Sequence, residues 1–176
     1  MAGPLRTLAP VAAAFALLLA LVWVLFGTLL EQRHHPNRGL VTGAGGPERV
    51  VLEPGPGGHY SAPGTINGHE VTFLVDTGAS HVAVPDGIAP GLGLERGPQI
   101  RVATAAGTVR AWRTRIDRIA IGGLALRDVR GSINPRMGGE RVLLGMSFLR
   151  HVEFRQQGER LILAPPSGAD PGAVSR

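Results

Sequence analysis

A long uncharged segment near the N-terminus limits how much of this chain can fold as a globular domain. Residues 7–30 contain no charged side chain, residues 31–58 are polar and rich in Gly and Pro, and residues 165–176 are mostly Pro, Gly, Ala and Ser. Of the 176 residues, roughly 110 to 120 then remain, which is enough for one small domain and no more.

Residues 11–30 have the length and composition of a transmembrane anchor. They are apolar apart from one Thr, and a helix of this length spans about 30 Å, the thickness of a bilayer's hydrocarbon core. A cleaved signal peptide is the alternative, but its apolar region is usually only about 7–15 residues long and ends at a small-residue cleavage site. No such site follows Leu30, so we expect the segment to remain as an anchor.

The anchor divides the chain into five predicted segments. They are a short N-terminal tail (1–10), the transmembrane anchor (11–30), a flexible Gly- and Pro-rich tether (31–58), a folded domain (59–164) and a disordered C-terminal tail (165–176). Within the tether, residues 49–53 have the pattern of an edge strand. Because a short tail before an anchor usually stays inside, we expect a single-pass inner-membrane protein whose domain is periplasmic.

Composition excludes several kinds of chemistry. The chain contains no Cys, which removes disulfides, thiol nucleophiles and iron–sulfur clusters. All 18 basic residues are Arg, so a P-loop lysine and a Schiff-base lysine are also excluded. The Arg residues are scattered and no aromatic residues alternate with them, so we expect no nucleic-acid partner despite a net charge of +5. His34 and His35 lack a third ligand nearby, and we expect neither a metal nor a cofactor.

From His59 onwards the pattern predicts short β-strands joined by tight turns. Asn67-Gly68 lies between two strand-like runs, which is the strongest short signal for a β-hairpin. Nearly every other connection contains Gly, and no apolar helical periodicity runs for more than two turns. A short helix over residues 85–94 is disfavoured by one Pro inside it and three Gly. We therefore predict an all-β domain built from a closed or folded-over sheet.

Residues 73–82, with the sequence FLVDTGASHV, place a carboxylate at the end of an apolar strand. Burial of Asp76 there would cost several kcal/mol unless the carboxylate is hydrogen-bonded or shares a proton. Gly78 allows a backbone amide to approach closely, and Thr77 can hold the turn through its hydroxyl. An ordinary turn, in which Asp76 acts only as a cap, is the alternative. The apolar residues on both sides favour a functional carboxylate over that alternative.

A second segment, residues 142–149 with the sequence VLLGMSFL, by itself indicates a core strand that enters a helix. The two segments together resemble the retropepsin-like aspartic proteases, specifically their bacterial, membrane-anchored members. The likeness covers about residues 59–164 and includes Gly-Thr-Ile-Asn-Gly at 64–68 and Arg-Asp-Val at 127–129. It implies the retropepsin-like acid-protease fold, with one short helix beside the sheet. Residues 85–94 depart from the family, where this region is usually more helical.

The resemblance implies a role for each residue of the first motif. Asp76 would be the catalytic carboxylate. Thr77, Gly78 and Ala79 would support the active-site turn, with Thr77 bonding across the site to its equivalent in a partner subunit. Ser80 would face the substrate backbone.

Two further elements are implied by the same resemblance. A hairpin with its tip near Ala106 and Gly107 would be the flap that covers the substrate, with Trp112 as its support. Leu143, Leu144 and Gly145 would form the psi-loop packed beneath the active-site turn.

Aspartic protease chemistry requires two carboxylates. One stays ionised and activates a water, while the other is protonated and donates to the scissile carbonyl, because two like charges about 3 Å apart cannot both ionise. The chain has one Asp-Thr-Gly, and its other aspartates are not followed by Thr-Gly or Ser-Gly; these are Asp86, Asp117, Asp128 and Asp170. We therefore predict a homodimeric endopeptidase, with both Asp76 residues on a two-fold axis, that acts on polypeptides.

Two other functions remain open at this stage. A dimeric β-domain could bind extended peptides by strand addition without cleaving them. A membrane-tethered structural protein could use Asp76 only to shape a turn. Substitution of Asp76 by Asn separates these functions from proteolysis, because only proteolysis depends on the carboxylate.

Overall fold

The structure, a computed structural model, describes residues 14–25, 37, 49–104 and 107–166. The chain divides into two compact units, Met1–His35 and Pro36–Arg176. The predicted N-terminal tail, most of the tether and residues 167–176 of the C-terminal tail lie outside the described residues.

The first unit contains one described helix, α1, over residues 14–25, and its apolar side chains are exposed. In the part of the chain that the structure describes, no helix is both long and apolar enough to cross a membrane. The predicted transmembrane anchor over 11–30 is therefore not supported, and its residues 11–13 and 26–30 lie outside the described ranges.

The second unit is built from β-strands. Its described residues form ten strands, one short α-helix (α2, Met146–Leu149) and two 3₁₀ turns (Pro56–Gly58 and Pro90–Leu92). The strands are β1 Val50–Leu52, β2 Ser61–Ile66, β3 His69–Val75, β4 Val82–Pro85, β5 Gln99–Thr104, β6 Gly107–Ile121, β7 Leu124–Asn134, β8 Arg141–Leu144, β9 Glu153–Gln157 and β10 Arg160–Ala164. The predicted all-β class is confirmed.

The larger sheet has seven strands in the order β2-β3-β8-β4-β7-β6-β5. Two of its pairs are parallel, β3 with β8 and β4 with β7. Strand β2 pairs with β6 as well as with β3, through Thr65↔Ala120 and Ile66↔Ile119, so the sheet folds over onto itself. The enclosed core contains Phe73 and Phe148, which are fully buried.

A smaller antiparallel sheet has the order β1-β10-β9. Strand β1 lies within the segment expected to be a tether, so the folded unit begins before residue 59. These residues belong to the folded unit because their side chains are partly buried in it. Val50 and Leu52 are fully buried while Val51 between them is exposed, which is the alternation of a half-buried strand. Asn37 is buried as well, and its side-chain amide donates to the carbonyl oxygens of Glu53 (2.9 Å) and Ser61 (2.8 Å).

The predicted Asn67-Gly68 hairpin joins β2 to β3. Both residues have positive φ, 52° at Asn67 and 87° at Gly68, as a tight two-residue hairpin turn with a right-handed strand twist requires. The Asn67 side chain also donates to the carbonyl oxygen of Leu92 at 3.0 Å. This bond ties the hairpin to the 3₁₀ turn Pro90–Leu92, the only helical structure among residues 85–94.

Candidate active site

Asp76 follows directly after β3, at the position where two parallel strands end together. Strands β3 and β8 pair with Val75 opposite Leu144, and the Asp76 amide donates to the Leu144 carbonyl oxygen at 3.2 Å. On the other side, the Val75 amide donates to the Tyr60 carbonyl oxygen at 2.9 Å. The main chain on which Asp76 sits is thus held from two directions, and its side chain is only partly buried.

The turn after Asp76 is closed around its own carboxylate. The Gly78 amide donates to Asp76 Oδ1 at 2.9 Å, and the Ala79 amide donates to the Asp76 carbonyl oxygen at 3.3 Å. A Cβ atom at position 78 would lie 3.2 Å from Asp76 Oδ1, so Gly gives the carboxylate room. Thr77 and Ser80 are exposed on this turn, and neither side chain makes a hydrogen bond to another described residue. Their side chains are accessible to molecules outside the subunit. The expected Thr77 hydroxyl bond within the turn is therefore not found among the described residues, where backbone amides close the turn instead.

The predicted psi-loop lies beneath this turn. Leu143 is the residue of β8 that pairs with both β3 and β4, through Leu74 and Ala83. Strand β8 therefore runs between the strand that enters the turn and the strand that leaves it. Leu144 is fully buried behind the turn.

Gly145 is where the turn and the psi-loop approach most closely. A Cβ atom there would lie 2.3 Å from the His81 carbonyl oxygen and 2.6 Å from that of Ala79, which no side chain can occupy. The next amide, that of Met146, donates to the Ala79 carbonyl oxygen at 2.7 Å. Close backbone packing thus requires Gly at this position.

Ser147 is a structural residue that the sequence analysis did not single out. Its buried hydroxyl accepts from the Val82 amide at 3.0 Å and donates to the Arg130 carbonyl oxygen at 2.7 Å. It therefore joins α2 to β4 and β7. The available signal was a single polar residue within an otherwise apolar run, since such a residue is buried only if it is hydrogen-bonded.

The predicted flap corresponds to the hairpin formed by β5 and β6. Its tip residue Ala106 lies outside the described residues, and Gly107 begins β6 with a φ of 103°. The Thr104 hydroxyl donates to the Gly107 carbonyl oxygen at 2.7 Å, which closes the hairpin near its tip. Trp112 lies further along β6, opposite Gln99, and the Arg96 guanidinium lies 4.4 Å from its ring centroid. Arg96 in turn pairs with Asp86 at 2.6 Å.

An open cleft of about 660 Å³ lies beside His81, in the segment that follows the Asp76 turn. His81, five positions after Asp76, lines it together with residues of the 93–98 loop, β6 and β7. Burial lowers the pKa of His81, and the charges of Arg130, Arg113 and Arg150 lower it further. Within the described residues, no group of three or more His, Asp or Glu is arranged to hold a metal ion.

Comparison with known proteins agrees with this arrangement. The family model described as "gag-polyprotein putative aspartyl protease" matches residues 62–151, about half of the chain, from the second residue of β2 to just beyond α2. The chain belongs to the retropepsin-like aspartic protease family. Its matched region contains Asp76, the turn that follows it and residues 143–145 of the predicted psi-loop.

Two similar proteins extend the comparison. The crystal structure of a retropepsin-like aspartic protease from Rickettsia conorii has 25% sequence identity and a TM-score of 0.56, covering 71% of this chain and 93% of that one. An uncharacterized protein in the cobV 5′ region of a Sinorhizobium species is 32% identical over 135 residues, covering 74% of this chain. The chain matches 58% of the length of that relative. The predicted retropepsin-like fold is confirmed.

Proposed function

We propose that this family member is an aspartic endopeptidase, active as a homodimer in which each copy supplies one Asp76. The observation that carries the proposal is the position of Asp76 at the joint end of β3 and β8. There the Gly78 amide orients its carboxylate and the psi-loop fixes the turn from below. A carboxylate held on strand ends has the rigidity that a catalytic pair needs.

The proposed reaction uses a water molecule as nucleophile. An ionised Asp76 accepts a proton from the water, whose oxygen bonds to the scissile carbonyl carbon while the protonated Asp76 of the partner subunit donates to the carbonyl oxygen. The tetrahedral intermediate then collapses: one of its hydroxyl groups returns a proton to the partner's carboxylate as the carbonyl re-forms, the C–N bond breaks, and the proton that Asp76 took from water passes to the leaving amine. The two carboxylates end the cycle sharing one proton again.

A second copy is needed because each chain has only one Asp-Thr-Gly. Asp86 and Asp128, two of the other aspartates, are held in ion pairs with Arg96 and Arg115. A two-fold axis beside the active-site turn would place the exposed Thr77 of each copy near its equivalent, in agreement with the role that the family implies for it.

The experiment that tests the proposal is cleavage of a denatured peptide library by the purified protein and by Asp76→Asn. Glu70→Gln is the matched control, because Glu70 lies on the same strand, is exposed, and loses the same charge when substituted. We expect the wild type and Glu70→Gln to cleave, and Asp76→Asn to lose at least about 10³-fold in kcat/KM. Cleavage that persists in Asp76→Asn would exclude the proposal. Peptide binding without cleavage by the wild type would indicate a binding module instead.

We further propose that the N-terminal segment keeps the protease at a membrane, facing the periplasm of a bacterial cell. The support is the sequence itself, with no charge in residues 7–30, together with the exposed apolar side chains of α1. Expression of the full chain with a C-terminal alkaline phosphatase reporter, followed by membrane fractionation, tests both the membrane attachment and the periplasmic orientation. We expect an active reporter in the membrane fraction that resists extraction with carbonate. A reporter that stays in the soluble fraction would contradict the proposal.

A further inference from the structure

The cleft beside His81 is lined by basic residues from neighbouring strands. In the parallel pair of β4 and β7, Val82 lies opposite Gly131, so the preceding residues, His81 and Arg130, are also neighbours. In the antiparallel pair of β6 and β7, Arg130 lies opposite Arg115. His81, Arg130 and Arg115 thus form a row across the sheet, and Arg113 lies two residues from Arg115 on the same face of β6. All four residues line the cleft.

The charges in this cleft are only partly neutralised. Arg115 pairs with Asp128, and Arg96 at the rim pairs with Asp86. Arg113 and Arg130 make no ion pair or side-chain hydrogen bond with any described residue. Two carboxylates, Glu95 and Asp117, also line the cleft, yet neither is paired with an Arg among the described residues.

The electrostatic effect on His81 indicates where the positive potential is concentrated. Besides burial, the charges that lower its pKa are all arginines, namely Arg130, Arg113 and Arg150. The lowered pKa favours the neutral imidazole, so the positive charges at this end of the cleft are those of the arginines. The His81 end of the cleft is therefore a place where a carboxylate would be favourably bound.

This end of the cleft is also close to the active-site turn. His81 lies five residues after Asp76, so the chain between them spans at most about 18 Å, and the exposed Ser80 lies immediately before it. An extended peptide advances about 3.3 Å per residue. A side chain a few residues from a bond held at Asp76 can consequently reach the His81 cleft.

We propose that the His81 cleft is a specificity subsite that binds an acidic side chain of the peptide substrate through Arg113 and Arg130. The inference rests on the proposed peptidase function and adds a substrate class to it, namely peptides with Glu or Asp a few residues from the cleaved bond. The guanidinium groups bind the carboxylate by charge-assisted hydrogen bonds, which Gln or Asn cannot form with equal strength.

Pairs of blocked peptides that differ only by Glu or Gln at one position test the proposal. Each pair is offered to the wild type, to Arg130→Gln and to Arg113→Gln. Arg155→Gln is the matched control, since Arg155 is exposed on β9, away from the cleft lining, and loses the same charge. At one position we expect the wild type and Arg155→Gln to prefer Glu by about tenfold or more in kcat/KM, the size of a charge-assisted hydrogen bond. Both cleft variants lose most of this preference while they still cleave the Gln peptides.

A second measurement does not depend on catalysis. Asp76→Asn binds the same peptide pairs, and its dissociation constants are compared with those of Asp76→Asn carrying Arg130→Gln. We expect Glu peptides to bind Asp76→Asn more tightly than Gln peptides, with the difference lost in the double variant. Thermal melts of each variant establish that the cleft substitutions leave the protein folded.

The outcomes for the two proposals are distinct. Cleavage that depends on Asp76 but is indifferent to Glu and Gln at every position overturns the acidic subsite and leaves the peptidase intact. A Glu preference that survives both cleft substitutions overturns it as well. If the wild type does not cleave, selective binding of Glu peptides that requires Arg130 still supports the subsite, whereas equal binding of both peptides, or no binding, removes it.

Discussion

The amide of Asp76 donates to the carbonyl oxygen of Leu144, and this 3.2 Å bond joins the active-site turn to the psi-loop. It continues the parallel pairing of β3 and β8 by one step beyond Val75↔Leu144. Although Asp76 lies in a turn, its main chain therefore continues the hydrogen bonding of the sheet, and this fixes the position of its carboxylate. Substitutions that move the psi-loop should consequently affect activity as well as stability.

Replacement of Gly145 by Ala tests how tightly the psi-loop packs against the turn. The new Cβ would meet the His81 carbonyl oxygen at 2.3 Å, and backbone on both sides leaves no flexible group to move away. We expect a loss of about 1–3 kcal/mol in the free energy of unfolding, as for other overpacked sites, and a marked fall in kcat. Urea denaturation at fixed protein concentration measures the free energy of unfolding, and peptide cleavage measures kcat.

Gly87→Ala is the control for this substitution. No atom lies within 4 Å of a Cβ built at Gly87, and its φ is not positive. The same added methyl group should there leave both stability and activity close to wild type. If Gly145→Ala behaved like Gly87→Ala, the close approach of turn and psi-loop would be refuted.

Replacement of Ser147 by Ala removes the hydroxyl that joins α2 to β4 and β7. The Val82 amide and the Arg130 carbonyl oxygen would each lose a partner in a buried site. We expect the free energy of unfolding to fall by about 1–3 kcal/mol, the cost of leaving buried polar groups unsatisfied. Thr108→Ala, which removes a hydroxyl from an exposed strand position, should change it much less. If chemical denaturation gave equal decreases in unfolding free energy for Ser147→Ala and Thr108→Ala, a stabilising role of the Ser147 hydrogen bonds would be refuted.

Asn67 has two roles in its hairpin turn that substitutions can separate. Its φ of 52° favours Asn, Asp or Gly, and its amide donates to Leu92 while its Oδ1 accepts from the Arg118 amide at 3.1 Å. Asn67→Asp keeps the tolerance of positive φ and the acceptor but loses the donor, whereas Asn67→Ala loses all three. We therefore expect stability to decrease in the order wild type, Asn67→Asp, Asn67→Ala, with the last lower by about 1–3 kcal/mol. A denaturant midpoint for Asn67→Ala equal to that of the wild type would contradict the assignment.

Local sequence signals predicted the turn around Asp76 better than the start of the folded unit. The strand end at Asp76 and the tight turn at Gly78 were predictable because each requires particular residue types. Gly145 was singled out only through the family resemblance, because its close approach to the His81 and Ala79 carbonyl oxygens involves a distant segment of the chain. Residues 49–53 showed the pattern of an edge strand, and β1 confirms it, but they were assigned to the tether because they stand among Gly and Pro. Only pairing with β10, far away in the sequence, makes β1 part of the folded unit.

Long-range contacts also explain what the sequence could not predict around the site. The role of Ser147 depends on Val82 and Arg130, which lie on two other strands. The His81 cleft arises from the register of β4, β6 and β7, so His81 and Arg130 become neighbours only once the sheet has formed. In the sequence these arginines were merely scattered charges.

The lowered pKa of His81 predicts how its contribution to stability depends on pH. Because burial and then Arg130, Arg113 and Arg150 disfavour the charged imidazole, the folded state takes up this proton at a lower pH than the unfolded state, whose ordinary value is 6.5. Between the two values the unfolded state binds more protons, so stability from this residue is fully present above pH 6.5 and is lost as the pH falls toward the folded value.

His81→Gln removes the titrating group and should reduce the slope of unfolding free energy against pH in that window. Urea titrations of both proteins at a series of pH values, each at one protein concentration, measure the difference. Thr108→Ala is the control, because it changes no titratable group and should leave the slope at the wild-type value. A slope that His81→Gln leaves unchanged, or makes steeper, would contradict the lowered pKa that burial and the arginines give to His81.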